Sequence, residues 1–398
     1  MILNLYTANH GKPDGIEDYI SLITKLFGDR RVEVKVSSAL DANAVNLILD
    51  EFTNYIENSH LAKFKKIHPD CKIVFVLTEF AERKWGVQSL NHFGGILDSA
   101  VIALFDVYLR LKRDDFGRVG LIRWLKLLCY MPILAIQMVS MTSHFVFSKL
   151  RGKHLSTPPI ARYFKTHHRT IYFHMRYLGL KAHLRYADAV ISSHEKIIDG
   201  FRRDKGAKGQ PLDYLGVLYP EFDKQKVLDQ LMLGKKLGIE ITGSITKYRQ
   251  QWIERINYGL TVFGLHNAFS YCTALSFSAL VSDKSIRSGF SLHPPQTKTW
   301  PYCSPTRIFR AISVDNNVPV LTKHFRQNPV EDVCYVFNGQ HSFVELYEIY
   351  ANRDRLMSFI EPRIERYNEI VIARNDAMAE KLRGLAENND SNNLSSKG

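Results

Sequence analysis

Cysteine is scarce and scattered in this sequence. Its 398 residues include five, Cys71, Cys129, Cys272, Cys303 and Cys334, an odd number with no Cys-x-x-Cys pair. That excludes a disulfide framework or a cysteine-based zinc site and points to a reducing compartment. A secretory leader pattern is also missing: the apolar run Met1 to Tyr6 is short, follows no basic residue and gives way to Asn9, His10 and Lys12. No short-period repeat is present, so a solenoid is excluded. Acidic residues fail in one place only. Between Val107 and Ala187 the acids are Asp114 and Asp115, against fifteen lysines and arginines. The whole excess of the chain, +13, lies in that stretch, and the rest is electrically balanced. A localised anionic partner fits this distribution better than diffuse coating of nucleic acid.

What is present is ordinary for a globular protein: 45% apolar, 12% aromatic and 23% charged residues. This excludes disordered, collagen-like and multi-span membrane classes. Ile2 to Tyr6 reads as a strand and Thr7 to Gly15 as a turn. A helix follows, with Ile16, Tyr19, Ile20, Ile23, Leu26 and Phe27 at helical spacing. Arg31 to Val36 reads as a strand, Ala44 to Ile56 as a helix, Lys72 to Leu77 as a doubly covered strand, and Ala187 to Ser193 as a strand before a helix to about Arg203. Gly206 to Pro220 suggests an interdomain passage. The alternation then restarts with strands at Leu237 to Thr242, Leu260 to Gly264 and Ser288 to His293. Helices are expected over Lys247 to Ile256 and Ser304 to Val314, a strand over Val318 to Leu321, and helices again from about Val344 and over Glu361 to Leu385.

The expected fold is α/β: two Rossmann-like domains facing a cleft, with a basic, apolar helical insertion in the first. The division is 1–215 for a first domain with the basic segment 107–187, 216–358 for a second domain, 359–387 for a closing helix, and 388–398 for a disordered tail.

Leu127 to Ser148 contains no charge over 22 residues. A buried helix of the first domain competes here with an element that dips into a headgroup layer, and a true span is disfavoured because it would place parts of one sheet on opposite sides of a bilayer. Arg113, Arg118, Arg123 and Lys126 precede the run and Lys149, Arg151 and Lys153 follow it, with Trp124, Tyr130 and Tyr163 as amphipathic aromatics. Arg123, Lys126, Lys149, Arg151 and Lys153 are the candidate membrane or acceptor contacts. Tyr163, Phe164, Tyr172, Phe173 and Tyr177 would also suit stacking on nucleic acid, but no helix-turn-helix or RNP pattern accompanies them. His167, His168 and His174 lack neighbouring acids or cysteines and read as a solvated loop, so no metal site is expected.

The stretch Ser291 to Leu321 carries the most chemistry. A strand ends in a proline-rich loop, and Ser304-Pro305 starts a helix whose free N–H groups, with Thr306 and Arg307, suit a phosphate. The helix should end at Asn316 or Asn317, where positive φ is tolerated. Gly243-Ser-Ile-Thr-Lys-Tyr-Arg249 before a helix, then Leu292-His-Pro-Pro, Trp300-Pro-Tyr-Cys-Ser-Pro-Thr-Arg-Ile-Phe-Arg-Ala311 and Val318-Pro-Val, resembles the donor-binding domain of GT-B-fold glycosyltransferases of the bacterial group-1-like and CgeB-like kind. The resemblance spans Leu237 to about Asn338. It implies a nucleotide-sugar as co-substrate and no other cofactor. Gly243 and Ser244 would lie against the diphosphate, Lys247 and Arg249 would neutralise it, and Ser304, Thr306 and Arg307 would hold it. Together with the basic segment, it leads to the expectation of a glycan, lipid-linked or otherwise anionic acceptor, a role in polysaccharide biosynthesis, and a cytoplasmic protein peripheral on the inner membrane face.

The paired glutamates of retaining group-1 enzymes are absent. Arg307 and Arg310 stand in that region, and Gln296 to Val330 holds no glutamate. Stereochemistry therefore does not carry over, and cations with helix N–H groups would stabilise the leaving diphosphate without a divalent metal. If the reaction inverts the sugar, an acceptor-side base is required, and the first strand–helix loop would supply it: Asp14 first, between Gly11 and Gly15, then His10 and Glu17. Glu79 and His92 are similarly placed after the Lys72 strand. A non-catalytic α/β protein binding nucleic acid or anionic membrane through the basic segment is the alternative.

Overall fold

Continuous apolar runs form the strands, because a parallel sheet covered on both faces buries both sides of each strand. In the computed structural model β1 (Ile2–Tyr6), β3 (Val45–Leu49), β4 (Ile73–Leu77) and β5 (Ala189–Ser192) are buried almost throughout. β2 (Glu33–Ser37) and β6 (Asp213–Val217) form the more exposed edges. All six pair in parallel, in the order β2-β1-β3-β4-β5-β6. α1 (Glu17–Gly28), α2 (Asn58–Ile67), α3 (Gly117–Leu150) and α4 (Glu195–Asp199) belong to this domain. The structure describes residues 1–7, 17–49, 58–78, 107, 111, 117–152, 180–181, 183–199, 201–234, 237–241, 258, 262, 264, 269–273, 289–293, 305–322, 330–337 and 341–387.

The second domain opens with α5 (Lys224–Leu233), β7 (Leu237–Ile241), β8 (Phe269–Thr273) and β9 (Phe290–His293). It continues with α6 (Pro305–Ser313), β10 (Val318–Thr322), α7 (Val330–Val333), β11 (Tyr335–Phe337), α8 (His341–Ala351) and α9 (Arg353–Glu387). Its five parallel strands run in the order β11-β10-β9-β7-β8. Counted from its own first strand, each sheet has the order second, first, third, fourth, fifth, and the first sheet adds a sixth. The molecule is thus two Rossmann-like α/β domains. Each has one place where the chain reverses its direction of travel across the sheet, between β1 and β3 and between β7 and β9.

Several local expectations are corrected. Ala44 to Ile56 does not form one helix: Val45–Leu49 is the central strand β3, flanked by β1 and β4. Its buried Asn46 accepts from Asn4 and from the Asp41 N–H at 2.8 Å each, so the polar residue that breaks the apolar run is satisfied inside the sheet. Leu260 to Gly264 is not a strand: Val262 is helical, and the strand comes later, at Phe269–Thr273. The passage Gly206 to Pro220 contains β6, which pairs with β5 across a bulge where Gly216 takes φ 147°. Asn316 does end α6 with positive φ, 52°. The apolar segment 127–148 is helical, within α3, but it is not the buried core helix that was one expectation: eleven of the large apolar side chains of α3 are 42–76% exposed. Segments 50–57, 242–257 and 388–398 lie outside the described residues.

α9 belongs to both domains. Leu356, Ile360, Ile364, Tyr367 and Val371 pack into the second core, and Met378, Ala379 and Leu382 into the first. Between them the chain leaving β6 runs extended along α9. Asn368 Nδ2 donates to the Phe222 carbonyl and its Oδ1 accepts from the Phe222 N–H, both at 3.0 Å. Asn375 repeats the arrangement on Tyr219, at 3.0 and 3.4 Å, and also donates to Glu221 at 2.9 Å. Seven residues of helix rise about 10.5 Å, and three residues of extended chain cover roughly 10 Å, so two amides two turns apart match two backbone units three apart. Arg30 at the end of α1 reaches Asp376 at 2.7 Å and Glu221 at 2.9 Å, and its carbonyl accepts from Arg383 at 2.6 Å.

Asn375→Leu leaves both backbone groups of Tyr219 buried without these partners and should lower stability by roughly 2–4 kcal/mol. Gly384→Ala, on α9 with open space around its Cβ position, should raise stability by about 0.5–1 kcal/mol. Urea denaturation of the three proteins checks both signs.

Candidate functional site

In each domain the carboxyl ends of adjacent strands meet at the reversal point, and the loops that leave there are the usual place for a ligand in open α/β sheets. In the second domain β7 and β9 are neighbours, with Ile241 opposite Leu292. The residues that follow them in the chain are Gly243, Ser244, Lys247 and Arg249 on one side, and Pro294 through Ser304 on the other. Gly243, Ser244, Lys247, Arg249 and Ser304 lie outside the described residues. The helix starts at Pro305, where a proline costs no hydrogen bond. Thr306 is its second residue, although its side chain is not described, and the half-buried Arg307 is its third. The two glycine- and proline-containing loops of the sequence therefore spring from adjacent strand ends, with a helix N-terminus after one of them.

His293 ends β9 beneath this helix and is completely buried. Burial, with the neighbouring Arg307 guanidinium adding to it, pushes its pKa down to about 3, so the ring is neutral and the positive charge stays on Arg307. Arg310, one turn on, pairs with Asp315 at 3.5 Å across the end of the helix. The two arginines are thus divided. Arg310 is held at the carboxyl end of α6, and Arg307 lies near the amino end, where an anion would also meet free backbone N–H groups.

In the first domain, the chain after β1 carries His10 and Asp14; both residues, with Glu79 and His92, lie outside the described residues. Glu17 opens α1 immediately after that loop, and its side chain is not described. A polar cluster that sequence reasoning missed sits at the neighbouring strand ends. Ser193 Oγ donates to the Thr78 carbonyl at 3.0 Å, tying the end of β5 to the end of β4. Ser192 Oγ accepts from the His194 N–H at 3.1 Å and donates to the His194 carbonyl at 2.6 Å. All four residues are buried. The readable signal was a hydroxyl or imidazole directly after each apolar run, Leu77-Thr78 and Ile191-Ser-Ser-His194.

Tyr19 of α1 connects the two domains. Its hydroxyl lies 3.5 Å from the Thr78 carbonyl oxygen, and its ring packs 5.6 Å from that of Phe309 on α6. Phe309 belongs to the second domain by sequence but is buried in the first core. The helix bearing Arg307 is therefore held against the carboxyl-end edge of the first sheet.

The other candidates separate in space and in type. Arg123 and Lys126 are on α3 with side chains not described, Lys149 and Arg151 are exposed at its carboxyl end, and Lys153 lies outside the described residues. Among the described residues no cluster of three or more His, Cys, Asp or Glu side chains could hold a metal ion. Cys71, one of the buried thiols, has its pKa pushed up to about 11 by burial, which leaves it a poor nucleophile.

No family model and no curated protein matches the chain. Similar solved structures include a trehalose-6-phosphate synthase studied with bisubstrate glycomimetics for enzymatic glycosyltransfer with retention. It shares 9% identity and a TM-score of 0.32, over 96% of this chain and 77% of that one. A UDP-forming α,α-trehalose-phosphate synthase from Burkholderia xenovorans shares 8% identity and a TM-score of 0.33, over the same fractions. Both are glycosyltransferases. At these TM-scores the likeness carries no argument about site or activity, and the fold assignment rests on the two parallel sheets themselves.

His293 and His183, the latter buried and lowered to about 4 by burial and then by Arg185, make a pH prediction. Both stay neutral when folded but take up a proton near pH 6.5 when unfolded. Stability is therefore complete above pH 6.5 and falls as pH drops toward 4, by about 1.4 kcal/mol per pH unit for each histidine. Urea midpoints from pH 8 to 4 should show this slope, and His293→Gln should remove about half of it.

Proposed function

We propose that this protein is a glycosyltransferase that moves a sugar from a nucleotide-sugar donor, bound in the second domain, to an acceptor on the first. The observation that carries this reading is the adjacency of β7 and β9 at the reversal point. It brings the starts of the Gly243 and Pro294 loops together and sets the amino end of α6, with Arg307, directly after the second loop. These are the stretches whose sequence resembles GT-B donor sites. Gly243 and Ser244 would admit the diphosphate close to the backbone. Lys247, Arg249, Ser304, Thr306 and Arg307 would bind its oxygens.

In the reaction an acceptor oxygen bonds to the anomeric carbon as the bond from that carbon to the diphosphate oxygen breaks. The acceptor proton passes to a base on the β1–α1 loop, with Asp14 proposed first and His10 and Glu17 as alternatives. The electron pair leaves on the diphosphate, where Arg307 and the helix N–H groups stabilise the developing charge. A neutral His293 suits this role. It adds no competing charge and leaves the field to Arg307, whose planar guanidinium matches two phosphate oxygens at once. No divalent metal is needed in this scheme.

Isothermal titration with uridine, guanosine, adenosine and thymidine diphosphates and their sugar conjugates tests it. One nucleotide series should bind, and Arg307→Ala should weaken that binding about ten-fold or more, as expected for losing a charged hydrogen bond. Arg310→Ala, whose partner is Asp315, should change it less than about three-fold. Absence of binding to every member by the intact protein would refute the assignment.

A further inference from the structure

α3 breaks the burial rule that the other long helix obeys. It spans 34 residues, about 50 Å at 1.5 Å per residue. Leu121, Leu125, Leu128, Val139, Val146 and Leu150 recur along one line of it, and each is 47–76% exposed. At 100° per residue all eleven exposed large apolar side chains fall within about half of the helix circumference. The buried residues Gly120, Leu127 and Ser148 lie on the other half. The buried residues therefore lie on one side of the helix, and the other side turns its large apolar side chains outward, with the exposed Thr142 and Ser143 among them. Monomeric soluble proteins keep contiguous patches to a few hundred Å².

Charge states what that side meets. No charged residue occurs between Lys126 and Lys149, and no acidic residue between Asp115 and Asp188. Arg118 at one end of α3, and Lys149 and Arg151 at the other, are exposed, and Trp124 is exposed on the apolar side. Cations at both ends, an apolar flank between them and an amphipathic indole match the boundary layer of an anionic bilayer, where guanidinium and ammonium groups meet phosphates and the indole sits among headgroups. A protein partner would ordinarily bring acids or bases among the apolar contacts, and nothing on α3 is placed to pair with them between its ends. Among the described residues no helix is long and apolar enough to cross a membrane.

We propose that α3 lies in the plane of an anionic membrane surface, with its Leu125–Val139–Val146 side sunk into the headgroup–acyl boundary. This stands independently of the glycosyl-transfer reading. If both hold, the acceptor domain works on a lipid-borne or membrane-adjacent substrate.

Flotation of the full chain with vesicles of phosphatidylcholine alone, or with 30% phosphatidylglycerol, tests it, since such vesicles contain no acceptor. The intact protein should float with the anionic vesicles at 0.1 M NaCl, and a reduced but measurable fraction should remain bound at 0.5 M, because the apolar contact is not screened. The triple variant Leu125→Asp/Val139→Asp/Val146→Asp should lose binding at least ten-fold while keeping the wild-type melting temperature and nucleotide binding, the substitutions being on exposed positions. Lys149→Glu/Arg151→Glu should lose preference for anionic over neutral vesicles. The proposal is overturned if the intact protein stays with the pellet in both lipids, or if the triple variant floats as well as wild type. It also fails if α3 is covered by a second copy, seen as a wild-type dimer that the triple variant converts to monomer without vesicle binding. Retention of the intact protein in vesicles after carbonate extraction would show a span and overturn the in-plane arrangement as well.

Discussion

The relation between the two domains depends on a register match between a helix and a strand-like linker. Tyr219 and Phe222 lie on the chain that leaves the first sheet, beyond its last strand, and their backbone groups cannot be buried unpaired without a cost of the order of a kcal/mol or more each. Asn368 and Asn375 supply the missing partners from one face of α9. Because two helical turns and three extended residues have nearly the same length, both amides engage at once. The same helix then carries Met378, Ala379 and Leu382 into the first core, and Arg30 closes the connection through Asp376 and Glu221. Sliding α9 by one residue would break the amide pairs, the ion pairs and the packing together, which is why the orientation of the domains is specified by a small number of side chains.

That orientation gives the duplicated topology its consequence. Each sheet has one reversal point, and either alone is a common binding place in α/β proteins. With Tyr19 lodged between Thr78 and Phe309, the amino-terminal part of α6 faces the carboxyl-end edge of the first sheet, so the start of the proposed donor helix lies beside the strand ends of the other domain. The electrostatics there are economical. Burial keeps His293 neutral and Asp315 occupies Arg310, so of the charges described around α6, Arg307 is the one left near the helix amino end to meet an anion.

α3 belongs to a different physical regime from α9, although the two helices are almost equal in length. α9 buries a stripe at helical spacing against two cores and turns Glu and Lys outward. α3 buries a narrow line that includes Gly120, Leu127 and Ser148 and turns Leu, Val and Phe outward, with its cations in the first ten residues and at the carboxyl end. Along the sequence, the positive excess of the chain falls in the segment that contains this exposed apolar helix.

The strands β1, β4, β5, β7, β9 and β10 were legible in sequence because a doubly covered parallel strand needs nothing beyond a near-continuous apolar run. The α6 unit was legible too, from Pro305 at its start to Asn316 at its end, because helix-end signals are local. β3 was misread as helix: a buried Asn46 in the middle of Val-Asn-Leu-Ile-Leu imitates amphipathic spacing, and only the presence of Asn4 on the next strand makes it compatible with a sheet. The strand placed at Leu260 failed for the same reason, since short apolar runs do not distinguish period 2 from period 3.6. The apolar run in α3 and its basic flanks were visible in the letters, but whether that run faced a core or solvent was not, since the same hydrophobicity serves both. Sequence alone determined the alternation of elements, the location of the charge and the residue types at the proposed donor site. Tertiary structure decided which strand ends are neighbours, which arginine is already paired and which helix face is left uncovered, because each of these depends on contacts between residues tens to hundreds of positions apart.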